Sequence, residues 1–274
     1  MFEQLFKDIG IVWAKYGTVY LTGILNTLLL ATGATLIGCV IGFICGILQT
    51  IPIAPGDFWL KRFLLRTLRA VIRVYVEVFR GTPMILQAVF IYYGMPYFFG
   101  IAFRDIWTVS MLVVSVNTGA YMAESVRGGI MSIDPGQFEG AKAIGMNHFQ
   151  TMLYIILPQT LRNILPQIGN NYIINVKDTS VMFIIGFQDF FAVHKMVSGA
   201  TFKYFPSALL EMGGYLFLTL LASFLLRTLE RKMKGQSNYE LVNTDQLVLT
   251  AGNYKFSGQA PYEETNRDYR REEP

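Results

Sequence analysis

Between Lys15 and Asp57 the chain carries no charged side chain. A helix needs about 20 apolar residues to cross a bilayer, so this stretch holds a full span with ends to spare. Composition points the same way. The 274 residues are 53% hydrophobic and 15% charged, with a mean hydropathy of +0.39, where a soluble domain carries about a quarter of its residues as charges. We therefore read one integral membrane domain rather than one or two soluble ones. Within the uncharged stretch Ala34, Gly38, Gly42 and Gly46 recur every fourth residue. That spacing offers one helical face for close approach of another helix; a helix merely tolerant of glycine is the alternative. Cys39 and Cys45 lie on the same stretch, six residues apart, and are read as packing residues. No cleavable signal peptide is expected: Glu3, Lys7 and Asp8 open the chain, and the first apolar run is too long for a signal sequence.

Four more apolar segments follow, at about 74–99, 106–123, 167–191 and 207–226. Lys61, Arg62, Arg66, Arg69 and Arg73 cluster in the first loop. The stretch from Glu124 to about Pro166 holds Pro135, Pro158, Pro166 and several glycines, and reads as a series of short helices. Five spans put the termini on opposite sides. The basic cluster, Arg127, Lys142, Arg162, Arg227, Arg231, Lys232 and Lys234 gather on one side, and Lys7, Lys15, Arg104, Lys195 and Lys203 remain on the other. The positive-inside rule makes the first side cytoplasmic, with the N-terminus outside and the C-terminus inside. The membrane domain is read as 1–234, with a cytoplasmic loop at about 127–166. The polar residues 235–274 are read as a flexible cytoplasmic tail, docking on a partner being the alternative. A net charge of +4 with its bases in loops fits membrane orientation rather than nucleic-acid binding.

One motif is specific. Gly136–Gln159 reads GQFEGAKAIGMNHFQTMLYIILPQ. Glu139, Gly140 and Ala141 form a triplet, Gly145 follows after three residues, and Ile155, Leu157 and Pro158 follow after nine more. This spacing resembles the EAA loop of ABC-importer permeases, with Gly140 in place of the usual alanine. The segments 76–96, 120–130 and 171–186 are similar to spans of the polar amino acid permeases, and the likeness covers roughly 15–232. It implies an all-α, five-span type I ABC importer permease in a bacterial inner or plasma membrane, and a polar amino acid as substrate. It implies partners as well: two ATP-binding subunits, a second permease subunit (identical or a sister), and an extracytoplasmic amino-acid-binding protein. Glu139, Gly140, Ala141, Gly145 and Pro158 are expected to couple the chain to the ATPase.

The chain has no phosphate loop of its own. In the nearest approach, Gly140 to Gly145, Met146 and Asn147 stand where Lys and Ser or Thr are needed. ATP and magnesium are thus expected on the partner, with no cofactor, catalytic residue or metal here. The two histidines, His148 and His194, fall on opposite sides of the expected membrane. Gly81 and Pro83 are expected to break the second span beside a pocket. Charges inside a span are costly and usually face a cavity or the bundle interior. Lys177 and Asp178, with Thr179 and Ser180 beside them, fall near the midplane, and Asn117 lies at similar depth. Glu124 and Arg127 lie nearer the cytoplasm, at an exit or gate. These seven residues form the expected substrate path. A structural role remains open, in which Lys177 and Asp178 pair with Glu77 or Arg80.

Overall fold

The computed structural model describes residues 2–54 and 56–234, and every regular element in them is helical. The expected tail, 235–274, lies outside the described residues. Helix α1 (Phe2–Thr50) has 49 residues, so at about 1.5 Å per residue it is roughly two and a half times as long as the hydrocarbon core is thick. Its N-terminal part carries Glu3, Lys7, Asp8 and Lys15 and reaches beyond the uncharged span.

The small-residue face of α1 is a packing face. Gly38, Gly42 and Gly46 are buried against Thr118, Met122 and Val126 of α5 (Ile106–Met131). A Cβ on Gly38 would stand 2.7 Å from Thr118 Cβ, and one on Gly46 would stand 2.6 Å from Val126 Cγ1. Only glycine permits this approach. Both sets of numbers ascend together, so α1 and α5 run parallel. Parallel neighbours need a return between them, and the intervening chain supplies it: α2 (Trp59–Gly81), α3 (Met84–Val89), a π turn (Phe90–Gly94) and α4 (Met95–Phe99). Asp105 caps α5. Its carboxylate accepts from the backbone N–H groups of Trp107 (3.1 Å) and Thr108 (3.0 Å), and these donors, Trp107 foremost, hold its pKa below the usual carboxylate range.

After α5 come two short helices, α6 (Pro135–Ala143) and α7 (His148–Thr151), a π turn (Met152–Ile156), and α8 (Leu157–Asp178). Asn175 meets Thr118, Asn171 meets Met122, and Ile164 meets Gly129. Here one sequence ascends as the other descends, so α8 is antiparallel to α5. A 3-10 turn (Thr179–Ile185) leads to α9 (Phe190–Thr201), which packs Phe190, Val193 and Val197 on Val12 and Tyr20 of α1. Then α10 (Tyr204–Lys234) runs along α1, joined to it by Tyr20 Oη and Ser207 Oγ at 2.6 Å. Lys203 and Asp8 pair at 2.5 Å, so the start of α1 and the turn into α10 share one side.

Among the described residues three helices, α1, α5 and α10, are long and apolar enough to cross a membrane. Two bent pairs make five spans when each pair crosses once: α2 with α3–α4, bent by 111°, and α8 with α9, bent by 54°. Leu21, Leu25, Leu29, Leu36, Val40 and Ile44 of α1, and Phe217, Leu220 and Phe224 of α10, are exposed. An apolar exterior of this extent suits lipid.

Two boundaries differ from the sequence reading. The basic cluster is not in a loop but on α2, whose Ile72 and Val76 pack on Ala123 and pull it into the bundle. The run of short helices is also narrower than 124–166. Helix α5 continues to Met131 because Glu124 and Arg127 satisfy each other one turn apart. Helix α8 starts at Leu157 and runs through Pro166, since burial of Ile164 against Gly129 outweighs the lost backbone donor.

Candidate functional site: a broken helix and a polar cleft

The α2–α3 break is built by two residues. Pro83 has no N–H and disfavours a helical conformation in the residue before it. Thr82 is accordingly extended, at φ −121° and ψ 145°. A helix that stops inside a membrane leaves carbonyls without donors. Two amides supply them. Gln87 Nε2 donates to Phe79 O (3.0 Å), Thr82 O (2.9 Å) and Thr82 Oγ1 (2.9 Å). Asn117 Nδ2 donates to Phe79 O (3.1 Å) and Gln87 Oε1 (3.0 Å).

Beside the break lies a cleft of about 540 Å³, walled by Arg80–Met84, by Asn117, Thr118 and Tyr121 of α5, and by Gln167, Asn171, Asn175 and Asp178 of α8. The Arg80 guanidinium sits 5.5 Å from the Tyr121 ring centroid. The cleft thus offers amides, hydroxyls, one carboxylate and one guanidinium, the groups that a ligand bearing both an ammonium and a carboxylate requires. Below it, Asn175 Nδ2 donates to Thr35 Oγ1 (2.8 Å) and Thr118 Oγ1 (2.9 Å), all buried, and this ties α1, α5 and α8 together.

Of the expected path residues, Asn117 and Asp178 meet at this cleft. Lys177, Thr179 and Ser180 do not line it. Thr179 is buried and donates to Val176 O (3.1 Å), and Lys177 is exposed on the far side of the turn from Thr179. Neither Lys177 nor Asp178 is ion-paired with Glu77 or Arg80. Glu124 and Arg127 pair with each other and line a second cleft of about 430 Å³ with Arg69, Arg73, Glu77 and Arg80. The sequence reading missed Gln87, Asn171 and Asn175. A usable signal was present: Asn163, Gln167, Asn171 and Asn175 recur every fourth residue, a polar stripe on α8.

A third cleft, of about 590 Å³, joins Gln49, Arg69 and Arg127 to Phe138, Glu139 and Lys142 of α6. Asp134 caps α6 by accepting from Gly136 N (2.7 Å), with Pro135 in the first turn. Gly145, at φ +81°, closes the turn that ends α6, and Met146 N donates back to Ala141 O (3.0 Å). Asn147 and Gln150 then form a capping box that starts α7. Ala141 is buried, whereas Glu139, Gly140, Ile144 and Phe149 are exposed. Pro158 lies in the first turn of α8. The first part of the motif, α6, is therefore a short capped helix, anchored on one side and open on the other.

Comparison with known proteins agrees with this architecture. Residues 38–235 match the family model described as binding-protein-dependent transport system inner membrane component. The glutamine transport system permease protein GlnP of Escherichia coli (strain K12) is 38% identical over 161 residues, 59% of this chain and 74% of that one. A putative glutamine transport system permease protein GlnP of Rickettsia typhi is 34% identical over 211 residues, 77% of this chain and 91% of that one. A crystal structure of an amino acid ABC transporter with histidines superposes with a TM-score of 0.71 at 32% identity, covering 81% of this chain and 97% of that one. The MetNI methionine ABC transporter shares the fold, with a TM-score of 0.66 at 18% identity, over 80% and 98% of the two chains. This chain belongs to the family of binding-protein-dependent transport system inner membrane components and is a multi-pass permease subunit of an ABC importer in the bacterial inner membrane.

Proposed function

We propose that this permease passes a polar amino acid into the cell by alternating access, with glutamine the first candidate from the names of its relatives. The polar cleft at the α2–α3 break carries this reading. It puts a carboxylate (Asp178), a guanidinium (Arg80) and amides (Asn117, Asn171) around one space between α2, α5 and α8. Asp178 receives the substrate ammonium and the amides receive its neutral polar groups. Two separate ATPase subunits bind ATP and magnesium and dock on α6 through Glu139, Gly140 and the exposed Ile144. An extracytoplasmic binding protein delivers the amino acid, and a second permease subunit completes the path. The N-terminus of α1 faces outward and the end of α10 faces the cytoplasm, as the distribution of basic residues favours.

The test uses the assembled complex in proteoliposomes. Asp178→Asn removes the charge at nearly constant volume. It is expected to lower uptake of labelled amino acid by about 10- to 150-fold, since losing one charge-assisted contact costs roughly 1.5–3 kcal/mol. Uptake with unchanged KM and kcat would remove Asp178 from the site.

A further inference from the structure

Helix α2 carries a feature that neither its packing nor the break explains. Arg62, Arg66, Arg69, Arg73, Glu77 and Arg80 follow one another at steps of four, three, four, four and three residues. Such steps keep all six on one stripe of a helix. The other faces are taken: Ile72 and Val76 pack on α5, and Phe63, Leu64, Val71, Val74 and Val78 are exposed and apolar. Orientation in the membrane depends on the number of basic residues near a loop, and lysine serves it as well as arginine. It does not require arginine rather than lysine at each basic position of one stripe, nor the continuation of that stripe to Arg80 at the helix break.

Most of the stripe faces a cavity. Arg69, Arg73, Glu77 and Arg80 line the 430 Å³ cleft with Glu124 and Arg127 of α5. Four guanidiniums therefore face two carboxylates there, and Glu124 is already held by Arg127. Arg69 is fixed by donating Nη2 to Ile51 O, and its Nε is buried without a hydrogen-bond partner. The cleft shares Arg80 with the polar cleft at the break, and Arg69 and Arg127 with the cleft that reaches α6. The three follow in series, from Asp178 to Glu139.

We infer that the arginine-lined cleft is a carboxylate-binding station on the exit route, which takes the α-carboxylate of an amino acid leaving the polar cleft and turns away amino acids with cationic side chains. This rests on the permease reading above and narrows its substrate class to zwitterionic and acidic amino acids. A guanidinium presents paired donors that match the two oxygens of a carboxylate. A cleft walled by protein also screens charge less than water does, so an excess of guanidinium repels a second cation.

The experiment measures ATP-driven uptake of labelled glutamine by proteoliposomes holding the permease, its ATPase and the binding protein, with assembly checked by co-purification. Replacing both Arg73 and Arg80 by Gln is expected to lower the maximal rate by about tenfold, and replacing both by Lys, which keeps the charge but loses the paired donors, to lower it by a smaller factor of about threefold. Unchanged uptake in the Gln pair overturns the proposal, and so does an equal loss in the Lys pair, which would indicate packing. A defect seen with phosphatidylglycerol but absent in phosphatidylcholine alone would assign the stripe to lipid headgroups and overturn it too. In equilibrium binding without the binding protein, glutamate is expected to bind and lysine not, and the Gln pair to weaken glutamate by about tenfold; lysine binding as tightly as glutamate to the unmodified complex contradicts the proposal. Failure of the unmodified complex to import any amino acid would strike the permease reading instead.

Discussion

Single side chains decide how this membrane bundle closes its polar groups. Ser207 is an example at the Asp8 end of the molecule. Its buried hydroxyl lies 2.6 Å from Tyr20 Oη and 2.8 Å from His194 Nδ1 and joins α1, α9 and α10. Ser207→Ala leaves two buried polar atoms without their shared partner, at a cost of about 1–3 kcal/mol. Thermal unfolding in detergent should show a lowered midpoint, restored by Ser207→Thr. An unchanged midpoint for the alanine variant would mean that Tyr20 and His194 find other partners. At this scale the sequence was partly legible. Asn117 and Asp178 stood out as polar residues within apolar runs, and both line the cleft. Gln87 did not, because its role is to satisfy carbonyls freed by a break eight and five residues earlier. Thr179 was misplaced because a one-residue step around a tight turn moves a side chain from cavity to core.

The helices follow from a few glycines and prolines. The four-residue repeat on α1 was readable, but its partner was not, since pairing with α5 joins residues far apart in sequence. Gly42 now has a specific neighbour in Met122. Gly42→Leu is expected to separate α1 from α5 and abolish accumulation of folded protein, whereas Gly10→Ala, with nothing within 4 Å of its added methyl, should be neutral. Expression and size-exclusion profiles distinguish the two. Folded Gly42→Leu protein would show that the close approach is dispensable. The α2–α3 break was legible from Gly81 and Pro83, but its 111° bend was not, because hydropathy across 74–99 reads as one apolar run. Gly145 fits its motif for a backbone reason. With open space around it, its φ of +81° is what a side chain would strain, by roughly 1–2 kcal/mol.

Across the whole molecule, the fold was legible because lipid admits few solutions: an uncharged run must be a helix, and its backbone must be satisfied internally. The clefts were less legible, since each is assembled from α2, α5 and α8 with contributions from α1 and α6. In the proposed function they form one route from the polar cleft beside Asp178 to the exposed face of α6. There, ATP hydrolysis by a partner docked on α6 drives an amino acid along this route. The most direct measurement follows labelled glutamine uptake and ATP hydrolysis together in proteoliposomes, comparing the unmodified permease with Glu139→Lys, a charge reversal on the exposed face of α6. Coupling through α6 predicts ATP-dependent accumulation of glutamine in the first, and in the second a fall in uptake of about tenfold or more relative to ATP hydrolyzed, with the permease still in the membrane. Glutamine uptake that proceeds without ATP, or a Glu139→Lys complex that imports as efficiently per ATP as the unmodified one, would contradict it.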